Sequence, residues 1–206
     1  MVTSSSKIRV GVLVSGNGTN LQTIIDRSER GELDAEVVCV ISNKADAFGL
    51  QRASRHGIAA LHLDYRQYAN RQDYDIALVK ALNGFNVDLV VLAGFMRIVT
   101  PILLEAFPNR VMNIHPALLP SFPGLDAQKQ ALDYGAKISG CTVHFVDAGT
   151  DTGPIILQTA VPVLEDDTVE TLSARIHVEE HRLYPAAIQL FAEGRLTLEG
   201  RKVRIS

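Results

Sequence analysis

The sequence predicts an open, doubly wound α/β sheet, mainly parallel and Rossmann-like, and three observations support this. Apolar strand-like runs alternate with helically spaced segments over the first 115 residues. Two of those runs, Ile8–Val14 and 87–93, are apolar almost throughout, as strands covered on both faces are. After Gly124 the alternation stops, and two strands joined by a loop, 141–146 and 155–163, predict an antiparallel C-terminal extension. In open sheets of this kind ligands bind beyond the carboxyl ends of the strands, so the loops at those ends carry the chemistry.

The first strand is interrupted only by Arg9 and Gly11. Ser15-Gly16-Asn17-Gly18-Thr19-Asn20 follows, and then Leu21, Ile24 and Ile25 show helical spacing. A strand, a glycine turn and a helix start present free N–H groups and the positive end of a helix dipole, which suits an anion. A P-loop would need Gly-Lys-Ser/Thr, and the turn has no lysine. Leu21 stands where a dinucleotide fingerprint needs its third glycine, and the strand at 36–41 runs into Ser42-Asn43-Lys44 and not into a ribose-binding acid. The turn therefore fits a phosphate monoester better than a nucleotide cofactor, with a tight turn without ligand as the plain alternative.

Residues 45–56 predict a helix closed by Gly57, 58–63 a short strand, and 71–82 a helix with Ile76, Val79 and Leu82 on its apolar face. The strand at 87–93 ends at Gly94-Phe95-Met96-Arg97-Ile98, and Thr100-Pro101 opens a short helix with proline in its first turn. Residues 125–134 read as a helix. The strand at 141–146 puts Cys141, Val143 and Phe145 on one face and Thr142 and His144 on the other. Asp167 and Thr168 start a long helix whose stripe is Leu172, Ile176, Leu183, Ala187 and Leu190, with a kink expected at Pro185. Residues 196–205 predict a hairpin around Gly200.

The densest chemistry lies in Met112-Asn113-Ile114-His115-Pro116-Ala117-Leu118-Leu119-Pro120-Ser121-Phe122-Pro123-Gly124. Val111, Met112 and Ile114 are strand-like, and Pro116, Pro120 and Pro123 stop the strand. Asn113 and His115, two apart, share a face at its carboxyl end. One brings an amide donor that does not ionise, the other a side-chain type that titrates near neutrality. Together they suit polarising a carbonyl and moving a proton. An isolated Asn-x-His is more commonly turn chemistry, so the weight falls on what the other loops add.

Composition narrows the classes. At 206 residues, 47% hydrophobic and 21% charged, the chain reads as one soluble globular domain. A net charge of -3 gives no basic stripe for a nucleic acid. No apolar run is long enough to span a bilayer, and residues 1–6 read as a loose polar tail, not a signal peptide. Cys39 and Cys141 lie in apolar runs and predict buried free thiols in a reducing cytosol, so a cytoplasmic location is expected. The loop Asp147-Ala148-Gly149-Thr150-Asp151-Thr152-Gly153-Pro154 lacks the closing glutamate of a calcium loop. His177 and His181 share a helix face without the companions zinc needs, so no metal is expected, and Glu180 with Arg182 reads as a solvated face.

Four motifs in this order, Ser15 to Leu21, Ala93 to Ile98, Asn113 to Pro120 and Asp147 to Pro154, resemble the folate-dependent phosphoribosylglycinamide formyltransferases. The resemblance runs from about Ile8 to the last helix. It implies a formyltransferase fold with residues 1–206 as a single domain. It implies transfer of the formyl group of 10-formyltetrahydrofolate, a co-substrate, to the amine of glycinamide ribonucleotide in de novo purine biosynthesis. By the same resemblance Asn113, His115 and Asp151 are catalytic, Gly18, Thr19 and Asn20 hold the ribose phosphate, and Glu180 meets the substrate's amino end. The folate is expected along Leu92, Phe95, Met96, Arg97, Ile98, Val99, Leu104 and Asn113, with Arg71 near its glutamate tail. The implied partners are small molecules, with no metal, nucleic acid or membrane, and a homodimer is compatible.

The chain departs from the family pattern at Asp126, where relatives commonly have histidine and where a carboxylate would oppose a phosphate, and at His177, where relatives often carry a longer polar or basic side chain. Methionyl-tRNA formyltransferases and formyltetrahydrofolate hydrolases share the catalytic core. The former add a C-terminal tRNA-binding domain, for which 206 residues leave no room, and the latter an N-terminal regulatory domain. Hydrolysis of 10-formyltetrahydrofolate, or a phosphometabolite-binding module without chemistry, are the alternatives. A pure binder would have no use for Asn113, His115 and Asp151 together.

Overall fold

The computed structural model describes residues 7–206, so the expected tail at 1–6 lies outside the described residues. The first half alternates strictly: β1 (Ile8–Val14), α1 (Thr19–Glu29), β2 (Ala35–Ser42), α2 (Phe48–Arg55), β3 (Ala59–His62), α3 (Arg71–Gly84), β4 (Leu89–Leu92), α4 (Pro101–Ala106) and β5 (Val111–His115). Then come α5 (Ala127–Tyr134), β6 (Ile138–Phe145), β7 (Ile155–Pro162), α6 (Val169–Ala192), β8 (Leu196–Glu199) and β9 (Lys202–Ile205). All nine strands join one sheet in the order β3-β2-β1-β4-β5-β6-β7-β9-β8. From β3 to β5 the pairing is parallel. β6 and β7 add on antiparallel, and the β8–β9 hairpin meets β7 through the pair Ile155↔Lys202.

β1 shows why the sheet needs helices on both faces. Val10, Val12 and Val14 point into one core with Leu21, Ile24 and Ile25 of α1 and Leu172, Ile176 and Tyr184 of α6. Leu13 points the other way, against Tyr74, Leu78 and Leu82 of α3 and Leu103 and Phe107 around α4. Each such side chain removed from water contributes about 1.5–3 kcal/mol. Gly11 lies between two of these valines because α3 presses on it: a Cβ there would sit 2.6 Å from Leu82 Cδ2.

Local chemistry moved several boundaries. α2 begins at Phe48, not at 45, because the chain first turns through Lys44 to Ala47. It does close at Gly57, where Gly57 N–H donates to Ser54 and Ile58 N–H to Ala53. α5 begins two residues later than expected because Asp126 takes φ 54, a left-handed conformation that cannot continue a helix. α3 faces differently from the expectation. It buries Tyr74, Asp75, Leu78 and Leu82, whereas Ile76 is 53% exposed, because spacings of three and four from Asp75 keep one face and Ile76 falls outside it. α6 runs unbroken through Pro185, and its buried stripe carries Glu180, Tyr184 and Ile188 beside Leu172, Ile176, Leu183 and Ala187, while Leu190 is only half-buried. Glu180 is therefore not the solvated acid its neighbour Arg182 suggested. Cys39 and Cys141 are buried free thiols, each pushed up to about 12 by burial.

Tyr184 ties α6 to the strands that carry the site. Its buried hydroxyl lies 2.9 Å from the Leu92 carbonyl at the end of β4 and 3.0 Å from that of Met112 in β5. Tyr184→Phe leaves those carbonyls without this donor and should cost about 1–3 kcal/mol in urea unfolding, with little change in the slope.

Candidate active site

The chain order reverses between β1 and β4, and a crevice of about 940 Å³ opens beyond their carboxyl ends. The glycine turn after β1, residues 94–99 after β4, the end of β5 and the loop after β6 all line it.

Asn113 and His115 do point to one face, and the loop after β6 brings Asp151 to them. Asp151 Oδ2 lies 3.3 Å from His115 Nδ1 and accepts from the Gly124 amide at 2.8 Å. Its Oδ1 lies 3.4 Å from Asn113 Nδ2. The other ring nitrogen of His115 is 2.8 Å from the Phe122 carbonyl, so both nitrogens face acceptors. His115 is only 4% exposed, and its orientation is fixed at both ends. Two backbone strains serve this arrangement: Phe122 and Asp151 hold φ 53 and φ 54, positions that side chains larger than glycine rarely adopt. Burial alone would raise the Asp151 carboxyl. The neighbouring His144 ring, the Gly124 amide and the proximity of His115 outweigh it and hold the group below the ordinary carboxylate range.

His144 is the residue that sequence reasoning missed. It pairs with Asn113 across β5 and β6, and its Nε2 lies 3.2 Å from Asn113 Nδ2 and 3.7 Å from Asp151 Oδ1. Its Nδ1 lies 2.8 Å from the Phe145 carbonyl, which fixes the plane of the ring and keeps Nε2 turned to Asn113 and Asp151. The available signal was its place opposite the apolar face of a strand; what it opposes is a long-range matter of register.

At one end of the crevice lie Gly16 to Asn20, with the Lys44 side chain beside them. Gly18 takes φ +73 and caps α1, and a Cβ there would come 3.0 Å from the Gly49 Cα. Glu180, 3% exposed, accepts on Oε2 from Asn20 Nδ2 at 3.0 Å and from His177 Nδ1 at 2.7 Å. That hydrogen bond raises the His177 pKa, whereas burial lowers that of His181 behind it. The two imidazoles stack at 6.3 Å, and among the described residues no group of three His, Cys, Asp or Glu side chains is arranged to hold a metal.

At the other end, Met96 and Ile98 are 62% and 57% exposed, apolar surface offered at the mouth of a crevice. Arg97 stacks on Tyr65 at 3.9 Å, and buried Asp75 takes the Thr100 amide at 2.5 Å, so the loop between them is pinned. Of the residues marked out by the sequence, Gly18, Thr19, Asn20, Arg71, Leu92, Phe95 to Val99, Asn113, His115, Asp151 and Glu180 all line the crevice. Leu104 does not: it lies half-buried on α4, turned to the core behind. Asp126 and His177, the two departures, both line it as well.

Residues 8–188 match the sequence model of the formyl transferase family. The chain belongs to that family. Phosphoribosylglycinamide formyltransferase of Escherichia coli (strain K12) is 45% identical over 191 residues, which cover 93% of this chain and 90% of that protein. The trifunctional purine biosynthetic proteins adenosine-3 of Chironomus tentans and Drosophila melanogaster are 48% and 49% identical, and this chain spans 15% and 14% of their length. The crystal structure of glycinamide ribonucleotide transformylase 1 from Symbiobacterium toebii superposes with a TM-score of 0.96 at 61% identity, covering 97% of this chain and 94% of that one. That solved structure shares this chain's fold, the mainly parallel sheet with antiparallel C-terminal strands.

A carboxyl held below its ordinary pKa in the folded state stabilises that state at pH values above its unfolded value, and the contribution is lost as pH falls through the folded value. Asp151→Asn should therefore be less stable than the parent near neutrality, and the gap should close as pH falls below about 4. Urea midpoints from about pH 6 to about pH 3 check this, and a gap that persists at the acid end would mean the charge is not what matters.

Proposed function

We propose that this formyl transferase moves the formyl group of 10-formyltetrahydrofolate to the amine of glycinamide ribonucleotide, releasing tetrahydrofolate and formylglycinamide ribonucleotide. The observation that carries the reading is the convergence of Asn113, His115 and Asp151 in a crevice whose walls differ in chemistry. The glycine turn offers amide donors and a helix dipole for a ribose phosphate, through Gly18, Thr19 and Asn20. The loop from Phe95 to Val99 offers apolar surface for a folate ring, and Arg71 a cation for its glutamate tail. Glu180 Oε1 meets no protein donor among the described residues, which leaves it free to take the amino end of the ribonucleotide.

In this reading the amine nitrogen attacks the formyl carbon, the new C–N bond forms, and negative charge gathers on the formyl oxygen. His115 exchanges its contact with the Phe122 carbonyl for one from the same ring nitrogen to that oxygen, and Asn113 adds an amide N–H. The two amide hydrogens of Asn113 are spent on Asp151 and His144 at 3.4 and 3.2 Å, long contacts that exchange readily for a shorter bond to a charged oxygen. Asp151 keeps the imidazolium in place and takes the amine proton, directly or through water. The C–N bond to the folate then breaks, and its nitrogen leaves with the proton that Asp151 took from the amine, passed on directly or through water.

Folate absorbance followed with and without the ribonucleotide tests the reaction class. Turnover that needs both substrates supports transfer, and turnover with the folate alone would make the protein a hydrolase. Asn113→Ala and His115→Ala should each lower kcat at least ~10²-fold in a folded protein, the usual loss for one oxyanion donor. Near-normal kcat in both would remove them from the chemistry. Gly18→Val forces a β-carbon against Gly49 and should raise KM for the ribonucleotide far more than KM for the folate. Equal changes in both constants would put the phosphate elsewhere.

A further inference from the structure

The glycine turn does not hold its own shape. Two successive carbonyls are pulled to α2: Gly16 O accepts from the Gly49 amide at 3.0 Å, and Asn17 O from Arg52 Nε at 2.8 Å. Arg52 also reaches Asn17 Oδ1 at 2.9 Å and Gln22 Oε1 at 3.1 Å, so its fork spans the turn and the first turn of α1. Its guanidinium is held flat by the Phe48 ring at 4.8 Å. Gln22 cannot turn away, because its amide nitrogen meets Asp26 at 2.8 Å and His56 at 3.0 Å.

In a trans peptide the N–H points opposite to the preceding carbonyl. Carbonyls 16 and 17 directed at α2 therefore send the N–H groups of Asn17 and Gly18 away from it, toward the crevice that both residues line. Neither N–H meets an acceptor among the described residues, although Gly18 is buried, and an unpaired buried N–H is rare. Every acceptor that Arg52 touches is neutral, and among the described residues it makes no ion pair. An uncompensated positive charge thus stands directly behind two orphan donors.

We infer that Arg52 is the positioning residue of the phosphate site: it aims the Asn17 and Gly18 amides and adds the charge that makes the turn select a phosphate monoester dianion. This rests on the proposed ribonucleotide site but acts on binding, not on formyl transfer. Arg52 need not touch the ligand. Substitutions there should leave the chemistry at His115 alone and weaken only the phosphate end.

Ribose 5-phosphate, which carries the phosphate without the amine, separates this from the catalytic reading. In 15N-labelled parent protein, the amide signals of Asn17 and Gly18 should shift as ribose 5-phosphate is added. In Arg52→Gln, which loses both charge and fork, its Kd should rise at least about ten-fold. Arg52→Lys, which keeps the charge on a single nitrogen, should fall between the two. In the coupled assay KM for the ribonucleotide should rise in the same order, with kcat and the folate KM within about two-fold of the parent. Unchanged ribose 5-phosphate affinity in both variants, or amides at 17 and 18 that never respond in the parent, would overturn the inference. Ribose 5-phosphate bound through those amides by a parent that does not formylate glycinamide ribonucleotide would overturn the proposed function and leave the role of Arg52 standing.

Discussion

The carboxylate of Asp151 is where three otherwise separate pieces of backbone meet. It takes the Gly124 amide from the wall that follows β5, faces His115 and Asn113 on β5 itself, and sits on the loop that leaves β6. A half-buried acid without partners would gain a proton and lose its hold on all of them. Here the donors around it exceed the cost of burial, and the charge survives in the interior. The strain at Asp151 and at Phe122 belongs to the same arrangement, since each left-handed residue aims one acceptor at one ring nitrogen of His115.

What brings those pieces together is the antiparallel pairing of β5 with β6. Asn113 faces His144 and His115 faces Thr142 because strand side chains repeat every two residues, and a slip of one would turn His144 away from the crevice. The return loop has equally little freedom. A Cβ on Gly153 would lie 1.8 Å from the Phe145 carbonyl, and one on Gly149 2.0 Å from the Thr152 hydroxyl. That hydroxyl in turn donates to Asp147 at 2.6 Å, which closes the loop on itself. The glycines and acids of this loop fold the chain tightly enough to deliver one carboxylate.

The features legible in the sequence were those that depend on period and on covalent neighbours. Strand alternation put Asn113 and His115 on one face, and the glycine turn at Gly16 to Asn20 does join a strand to a helix as its residues predict. Partners across the sheet or between helices were not legible, because spacing assigns a face and not what lies against it. His144 was seen on the polar side of its strand but could not be matched to Asn113, 31 residues earlier. Arg52 looked like any helix arginine, since its acceptor Asn17 is 35 residues away. α3 misled for the same reason: Ile76 is as apolar as Leu78, and only packing against β1 and α4 decides which is buried. Glu180 looked solvated beside Arg182 because an acid on α6 gives no hint that Asn20 and His177 enclose it.

The proposed two-substrate reaction would also require the glycine turn and the loop after β4 to keep a fixed separation, and the end of β1 supplies that. Ser15, buried at the last step of the strand before the glycine turn, donates its hydroxyl to Asn43 at 2.6 Å and accepts the Met96 amide at 2.8 Å, while its own amide donates to Gly94 at 3.1 Å. The residue that begins the glycine turn is thus the residue that anchors the apolar loop. Holding two reactants in place turns a bimolecular step into an internal one, provided the reacting atoms stay within a fraction of an ångström of alignment. Strands buried on both faces give that rigidity, and β4, which carries the apolar loop, runs between β1 and the strand β5 that carries Asn113 and His115. In the proposed reaction the plain parallel sheet is therefore part of the chemistry: it would set the distance across which the amine and the formyl carbon meet.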